Sequence, residues 1–168
     1  MQLIRLTPAH AQAYRTLMLE AYGRHPDAFT SSVEERAALP LSWWERRLQV
    51  GDAADEMVWG ATVKGQLAGV AGLAFERREK TRHKCTLFGM YVAQAHRSRG
   101  CARALVDWLL QQAAARPGVR LVQLTVTEGN AAAQRLYGDC GFQTFGVEPD
   151  AVAVGDRYVT KVHMWRAL

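Results

Sequence analysis

Arg97-Ser98-Arg99-Gly100-Cys101-Ala102 is a basic, glycine-containing turn set between two apolar runs. Upstream, Leu87-Phe88-Gly89-Met90-Tyr91-Val92 reads as a strand; downstream, Ala104 to Ala115 reads as a helix. A strand that turns through such a loop into a helix is built to hold an anion. The first N–H groups of a helix have no acceptor within it, and the helix dipole adds partial positive charge at that end. Phosphate suits the place, and Gly100 lets backbone and ligand approach closely.

Working outward, the helix has a clear period. Cys101, Leu105, Leu109 and Ala113 recur every four residues with Ala102 and Val106 beside them, while Arg103, Asp107 and Gln111 form the wet face. Pro117-Gly118 ends it. Val119 to Val126 alternates as a strand, with Val122, Leu124 and Val126 on one face. Asn130 opens a second helix whose Ala133, Leu136, Tyr137 and Cys140 share a face, and Gly141 is a left-handed cap after it. Phe142 to Val147 and Tyr158 to Trp165 supply two last strands.

Before the turn, Met57 to Val63, Leu67 to Phe75 and Lys84 to Val92 make an antiparallel meander, joined by Lys64-Gly65-Gln66 and by a charged tip, Arg77 to Lys80. Ala68, Gly69, Ala71 and Gly72 predict close backbone approach or a bend. Nearer the N-terminus, Leu3 to Leu6 reads as a strand. Thr7 and Pro8 start a helix that runs to Tyr22 and stops at Gly23. His25 to Leu39 reads as irregular or weakly helical, and Ser42 is the expected cap of a short helix carrying Trp43, Trp44 and Leu48. The order implies an α/β (α+β) fold, a mixed and mostly antiparallel sheet covered by helices. A dinucleotide-binding fold fits poorly, since GxGxxG is absent and hairpin-linked strands precede the loop.

A length of 168 residues predicts one domain spanning 1–168. With 49% hydrophobic and 22% charged residues, the composition is that of an ordinary soluble globular protein. No apolar run reaches the length of a membrane helix, so no membrane partner is expected. Met1 to Arg5 reads as a strand rather than a secretory signal, which makes the cytoplasm the expected compartment. Cys85, Cys101 and Cys140 lack CxxC or zinc-like spacing, so no metal is expected. The net charge of +5 is dispersed apart from short groups such as Arg82-His83-Lys84. That favours a solvated basic surface over a nucleic-acid partner.

Two segments, in their order and spacing, resemble the GNAT superfamily of acetyl-CoA-dependent N-acetyltransferases. Met90-Tyr91-Val92 with Arg97-Ser98-Arg99-Gly100-Cys101-Ala102 is similar to that family's strand and (Arg/Gln)-x-x-Gly-x-(Gly/Ala) loop. Asn130, Ala133, Leu136-Tyr137 and Gly141-Phe142 are similar to its Asn-x-x-Ala-x-x-Leu-Tyr-x-x-x-Gly-Phe helix. Gln94, where proline is common, and Cys101, where a branched aliphatic is common, depart from the pattern. The resemblance implies a V-shaped splay between two strands, with acetyl-CoA as co-substrate. Met90, Tyr91 and Val92 would pair with the pantetheine arm through their backbone, and the Val92 N–H would polarise the thioester carbonyl. Arg97, Ser98, Arg99, Gly100, Cys101, Ala102 and Arg103 would cradle the pyrophosphate, with Arg97 and Arg99 either adding charge or pointing to solvent. Asn130, Ala133 and Tyr137 are expected at the cofactor. Asn130 holds the arm's amide, caps its helix, or does both.

Tyr137 is the expected catalytic acid, giving a proton to the departing CoA thiolate; its helix face is equally that of a core residue. No general base is marked. Glu76 and His83 are candidates, Glu34, Glu35 and Glu128 weaker ones, and each also reads as a solvated surface group. The resemblance implies transfer of acetyl to a primary amine by direct attack in a ternary complex. A small-molecule amine is favoured over the peptide amine of a protein lysine or N-terminus; a non-catalytic CoA-binding module is a further alternative. His25 to Ser31, Trp43, Trp44 and Asp156 to Met164 are the expected acceptor segments. A homodimer through the C-terminal strands is common in the family.

Overall fold

The computed structural model describes residues 1–51 and 54–168. The chain runs β1 (Gln2–Arg5), α1 (Ala11–Arg24), α2 (Val33–Ala37), α3 (Leu41–Arg47), β2 (Glu56–Val63), β3 (Gln66–Phe75), β4 (Lys84–Val92), α4 (Cys101–Ala115), β5 (Leu121–Thr127), α5 (Ala131–Asp139), β6 (Gln143–Val154) and β7 (Arg157–Ala167). The strands form one sheet in the order β1-β2-β3-β4-β5-β7-β6. Neighbours are antiparallel except β4 and β5, which run parallel and pair only through Lys84, Cys85 and Thr86 against Leu121, Val122 and Gln123. Beyond those three pairs the two strands part, which is the expected splay.

Several element starts differ from the sequence reading. Thr7 and Pro8 lead into a 3₁₀ turn, Pro8–His10, and α1 proper follows and extends past Gly23 to Arg24. His10 Nδ1 accepts the Thr7 N–H at 3.1 Å, which holds that first turn in its tighter form. Ser42 lies inside α3, whose N-cap is Pro40; an extended proline that lacks an N–H can precede a helix without leaving a donor unmet. The weakly helical stretch resolves into a 3₁₀ turn, Pro26–Ala28, and α2, where Ser32 Oγ accepts the Glu35 N–H and Glu35 Oε2 accepts the Ser32 N–H.

Two apolar cores lie on opposite faces of the sheet. On one, α4 buries Cys101, Leu105, Val106, Leu109 and Ala113 against Ala71, Leu73, Cys85 and Leu87, joined by Tyr137 from α5. On the other, α1 and α3 pack Tyr14, Leu17, Met18, Trp44 and Leu48 against Val58, Val70 and Tyr91. Trp44 is a core residue, fully buried edge-on to Tyr14, and so drops out as an acceptor platform. Trp43 lies between the Arg36 and Arg47 guanidiniums.

A bulge in β4 moves its side chains from one core to the other. Phe88 pairs with Gly72 and Tyr91 with Val70, so Gly89 and Met90 together oppose Ala71. Gly89 holds φ +62°, a left-handed conformation that glycine adopts without a Cβ clash. Before the bulge Cys85 and Leu87 face the α4 core; after it Met90 and Val92 do, and Tyr91 faces α1.

Candidate active site

The splay encloses a cleft of about 230 Å³. Leu87 to Met90 form one wall, Thr125 to Thr127 the other, and Asn130, Ala133, Leu136 and Tyr137 of α5 lie beside them. Ala28, Phe29, Thr30 and Lys161 complete the lining. Thus Met90, Asn130, Ala133 and Tyr137, four residues the sequence singled out, come together around one space.

Val92 presents its backbone to this gap. The Ala93 N–H donates to the Ala68 carbonyl at 2.9 Å. Antiparallel pairs alternate, so in the next pair, Gly69 with Val92, the N–H and C=O of Val92 turn away from β3. The Val92 carbonyl accepts from Arg97 Nε at 3.0 Å, and its N–H points to the same side. The side chain of Tyr91 goes the other way, its hydroxyl donating to Glu20 Oε1 at 2.9 Å.

The loop that follows ends in a run of free donors. Ser98 and Gly100 hold φ +59° and +77°, so successive N–H groups turn to one side and form a nest. The Ala104 N–H bonds the Gly100 carbonyl at 2.9 Å. Among the described residues, the N–H groups of residues 98 to 103 before it have no protein acceptor. A Cβ built on Gly100 meets nothing within 4 Å, so the space over the loop is open. These orphaned donors fit a pyrophosphate. Two of the three arginine side chains here are engaged elsewhere. Arg97 bonds Val92 and also meets His25 Nε2 at 2.8 Å, and Arg103 pairs with Asp107 at 2.8 Å. Arg99 is exposed. Cys101 is buried, and burial pushes its thiol up, away from the reactive thiolate.

Asn130 caps α5, its Oδ1 accepting the Ala133 N–H at 3.2 Å. Tyr137 is 6% exposed and packs edge-on to Phe142. Burial drives its phenol far above the ordinary tyrosine value, so it stays protonated at neutral pH.

None of the five carboxylate and imidazole candidates for the base lines the cleft. Glu76 and His83 lie at its closed end, where the His83 carbonyl accepts from Arg120 and Leu121 and the β4–β5 pairing begins. Glu35 is taken up in the α2 cap. Glu128 lines a neighbouring hollow with His25 and Asp27.

The segment His25 to Ala28 bridges the open end of the V. On the β4 side, His25 meets Arg97. On the β5 side, the Asp27 carbonyl accepts from Thr127 Oγ1 at 2.5 Å and from Lys161 Nζ at 3.0 Å, and the Asp27 carboxylate accepts from Arg157. Lys161 is 4% exposed, donates also to Thr127 Oγ1 at 2.7 Å, and has its ammonium pKa lowered by that burial. Sequence reading placed Lys161 only within a broad acceptor segment, because an isolated lysine on a strand carries no local signal of burial.

The profile of the acetyltransferase (GNAT) family matches residues 13–142, well over half the chain. Among solved structures, a ribosomal-protein-alanine N-acetyltransferase from Brucella melitensis is 25% identical over 100% of both chains, with a TM-score of 0.82. The protein yncA of Salmonella typhimurium, solved with its cofactor acetyl-CoA, is 23% identical over 100% of this chain and 94% of its own, with a TM-score of 0.81. Arabidopsis thaliana NAA60, solved with a bisubstrate analogue, is 16% identical over 99% and 98%, with a TM-score of 0.72. No helix among the described residues is long and apolar enough to cross a membrane.

Proposed function

The chain belongs to the GNAT family of acetyltransferases, acyltransferases that take acetyl-CoA as co-substrate, and from that premise we propose that residues 1–168 act as one domain acetylating a small primary amine by direct attack in a ternary complex. The observation that carries this reading is the cleft between β4 and β5, with the outward-facing Val92 backbone and buried Tyr137 beside it. Acetyl-CoA supplies an acetyl group already activated as a thioester. The chain supplies the rest. The N–H groups of residues 98 to 103 hold negative charge at the start of α4. The Val92 N–H stabilises charge that develops on a carbonyl oxygen, at a fixed dipole that needs no reorganisation. Tyr137, kept neutral by burial, gives its phenolic proton to a leaving thiolate.

A small acceptor is favoured by the walls. Phe29 and Phe88 flank the cleft, and Asp27 with Arg157 ties the bridging segment to the β6–β7 hairpin. That leaves an entrance for a slim amine rather than an open groove for a folded chain. A second reading, an N-terminal peptide amine, is favoured by the end-to-end match to the Brucella ribosomal-protein-alanine N-acetyltransferase. The test is thiol release from acetyl-CoA with phenethylamine, spermidine, lysine and an alanyl-terminated peptide. Amine-dependent release with mass-verified acetyl product supports the reading, and the preferred amine selects between the two acceptors. No amine-dependent release from any of the four rejects it.

A further inference from the structure

We propose that His163, oriented by Glu148, is the general base that takes the proton from the acceptor ammonium. The inference rests on the acetyl-transfer reading above and supplies the group that the Glu76, His83, Glu34, Glu35 and Glu128 candidates do not.

The sheet register places His163. It pairs directly with Thr125 of β5, and Thr127 pairs with Lys161, two residues before His163 on β7. Directly paired residues, and residues two apart on one strand, share a sheet face. The nearest same-face neighbours of His163 across the sheet and toward the open end of the V are therefore Thr125 and Lys161, and both line the cleft. Val162 and Met164 point the opposite way, into the α4 core. The shared face is the one away from α4. An amine that approaches the cleft from that side meets the imidazole beside Thr125.

The imidazole is also set up for the role. His163 Nε2 lies 2.9 Å from Glu148 Oε2. A carboxylate only accepts, so it fixes the tautomer with hydrogen on Nε2 and leaves the Nδ1 lone pair as the acceptor. Phe145 stacks edge-on at 5.8 Å and restrains the ring. The His163 side chain is 31% exposed, open enough to be reached and to hand its proton to water. A base steered by a carboxylate on its far nitrogen is the general arrangement for activating a nucleophile.

The protons balance. One ammonium proton passes to His163 Nδ1 and then to solvent. The amine lone pair forms the N–C bond as the C–S bond breaks. The phenolic proton of Tyr137 goes to sulfur, and the second N–H proton lost from the amine restores the phenol. The net reaction releases one proton. The charged groups facing His163 are Glu148 from β6 and Lys161 from its own strand; β5 presents the neutral Thr125 and Gln123.

The experiment uses whichever of the four amines named above the wild-type protein acetylates fastest. His163→Ala is expected to lower kcat/KM by about 10²-fold or more at pH 7. The thermal shift given by acetyl-CoA is expected to stay. The loss is expected to shrink as pH rises toward the ionisation of the amine, and added imidazole is expected to recover part of the rate. Glu148→Gln, which keeps the ring and its shape, is expected to lower kcat/KM by about tenfold. Three results overturn the assignment: His163→Ala within about threefold of wild type across pH, a pH-independent loss that imidazole does not relieve, or Glu148→Gln at full activity. If the wild-type protein acetylates none of the four amines, the acetyl-transfer reading fails first, and this proposal falls with it.

Discussion

Arg157 sets one guanidinium nitrogen 2.6 and 2.7 Å from the two carboxylate oxygens of Asp27, 130 residues away in the chain. This contact joins the β6–β7 hairpin to the segment that spans the mouth of the V. Both side chains are substantially exposed, so the pair adds little to stability, about 0.2–1 kcal/mol. Its consequence is geometric.

Arg157→Ala is therefore expected to leave the melting temperature nearly unchanged and to raise the KM for the amine. The fall in kcat/KM is expected to reach about 10²-fold, the cost of ångström-scale misplacement, while the KM for acetyl-CoA stays put. Steady-state kinetics with each substrate varied in turn separate the two. An equal rise in both KM values contradicts the assignment of this segment to the acceptor side.

Gly100 separates backbone strain from ligand obstruction. At φ +77° any L residue costs roughly 1–2 kcal/mol, but a Cβ there meets no protein atom within 4 Å. Gly100→Ala should melt lower than wild type and still be stabilised by acetyl-CoA through linkage. Gly100→Glu should melt equally low and lose that stabilisation, because its chain enters the phosphate space with the wrong charge. Calorimetry with and without acetyl-CoA distinguishes the two; a full response in the glutamate variant means that the phosphate lies elsewhere.

Tyr137→Phe keeps the ring that packs on Phe142 and removes only the hydroxyl that carries the proton. Turnover is expected to fall by about 10²–10⁴-fold with acetyl-CoA affinity little changed. An acid works only while protonated, and burial raises the Tyr137 phenol. The alkaline limb of wild-type kcat assigned to it is then expected above the ordinary tyrosine value of about 10. Unchanged turnover in the phenylalanine variant, measured across pH, removes Tyr137 from the acid role.

Burial pushes the Cys85 thiol and the Tyr14 phenol each up to about 12. Both groups hold their protons more tightly when folded than when unfolded. Their contribution is complete below the unfolded values, about 8.5 for cysteine and 10 for tyrosine, and is lost as pH rises from there toward 12. Denaturant melts from pH 7 to 11 should show stability falling on the alkaline side, and Cys85→Ala should flatten the first part of that fall. A slope that Cys85→Ala leaves unchanged contradicts the linkage.

Much of this was written locally in the chain. The four-residue period from Cys101 to Ala113 and the shared face of Ala133, Leu136 and Tyr137 depend only on helix geometry, and both appear where expected. Gly72 predicts close backbone approach or a bend; what lies against it is a side chain, the Phe88 ring. The C-terminal half was less legible. β6 runs to Val154 with no fully buried residue, so no apolar alternation marked its length. Glu76 and His83 looked well placed at strand ends, but the parallel pairing of Lys84 to Thr86 closes the V there. His163 and Lys161 gain their meaning only from register with Thr125 and Thr127, strands separated in the chain by a helix and another strand. No local pattern carries that pairing.

On the proposed reading, the gap between β4 and β5 takes the thioester and the loop from Ser98 to Arg103 takes the pyrophosphate. A crystal structure with CoA bound is the decisive measurement. The expected result is a sulfur atom in the cleft within hydrogen-bonding reach of the Tyr137 hydroxyl, and pyrophosphate oxygens on the N–H groups of residues 98 to 103. A CoA seated instead in the hollow between α1 and the β2–β3 turn, among Thr16, Arg24, Gln66 and His96, would contradict it.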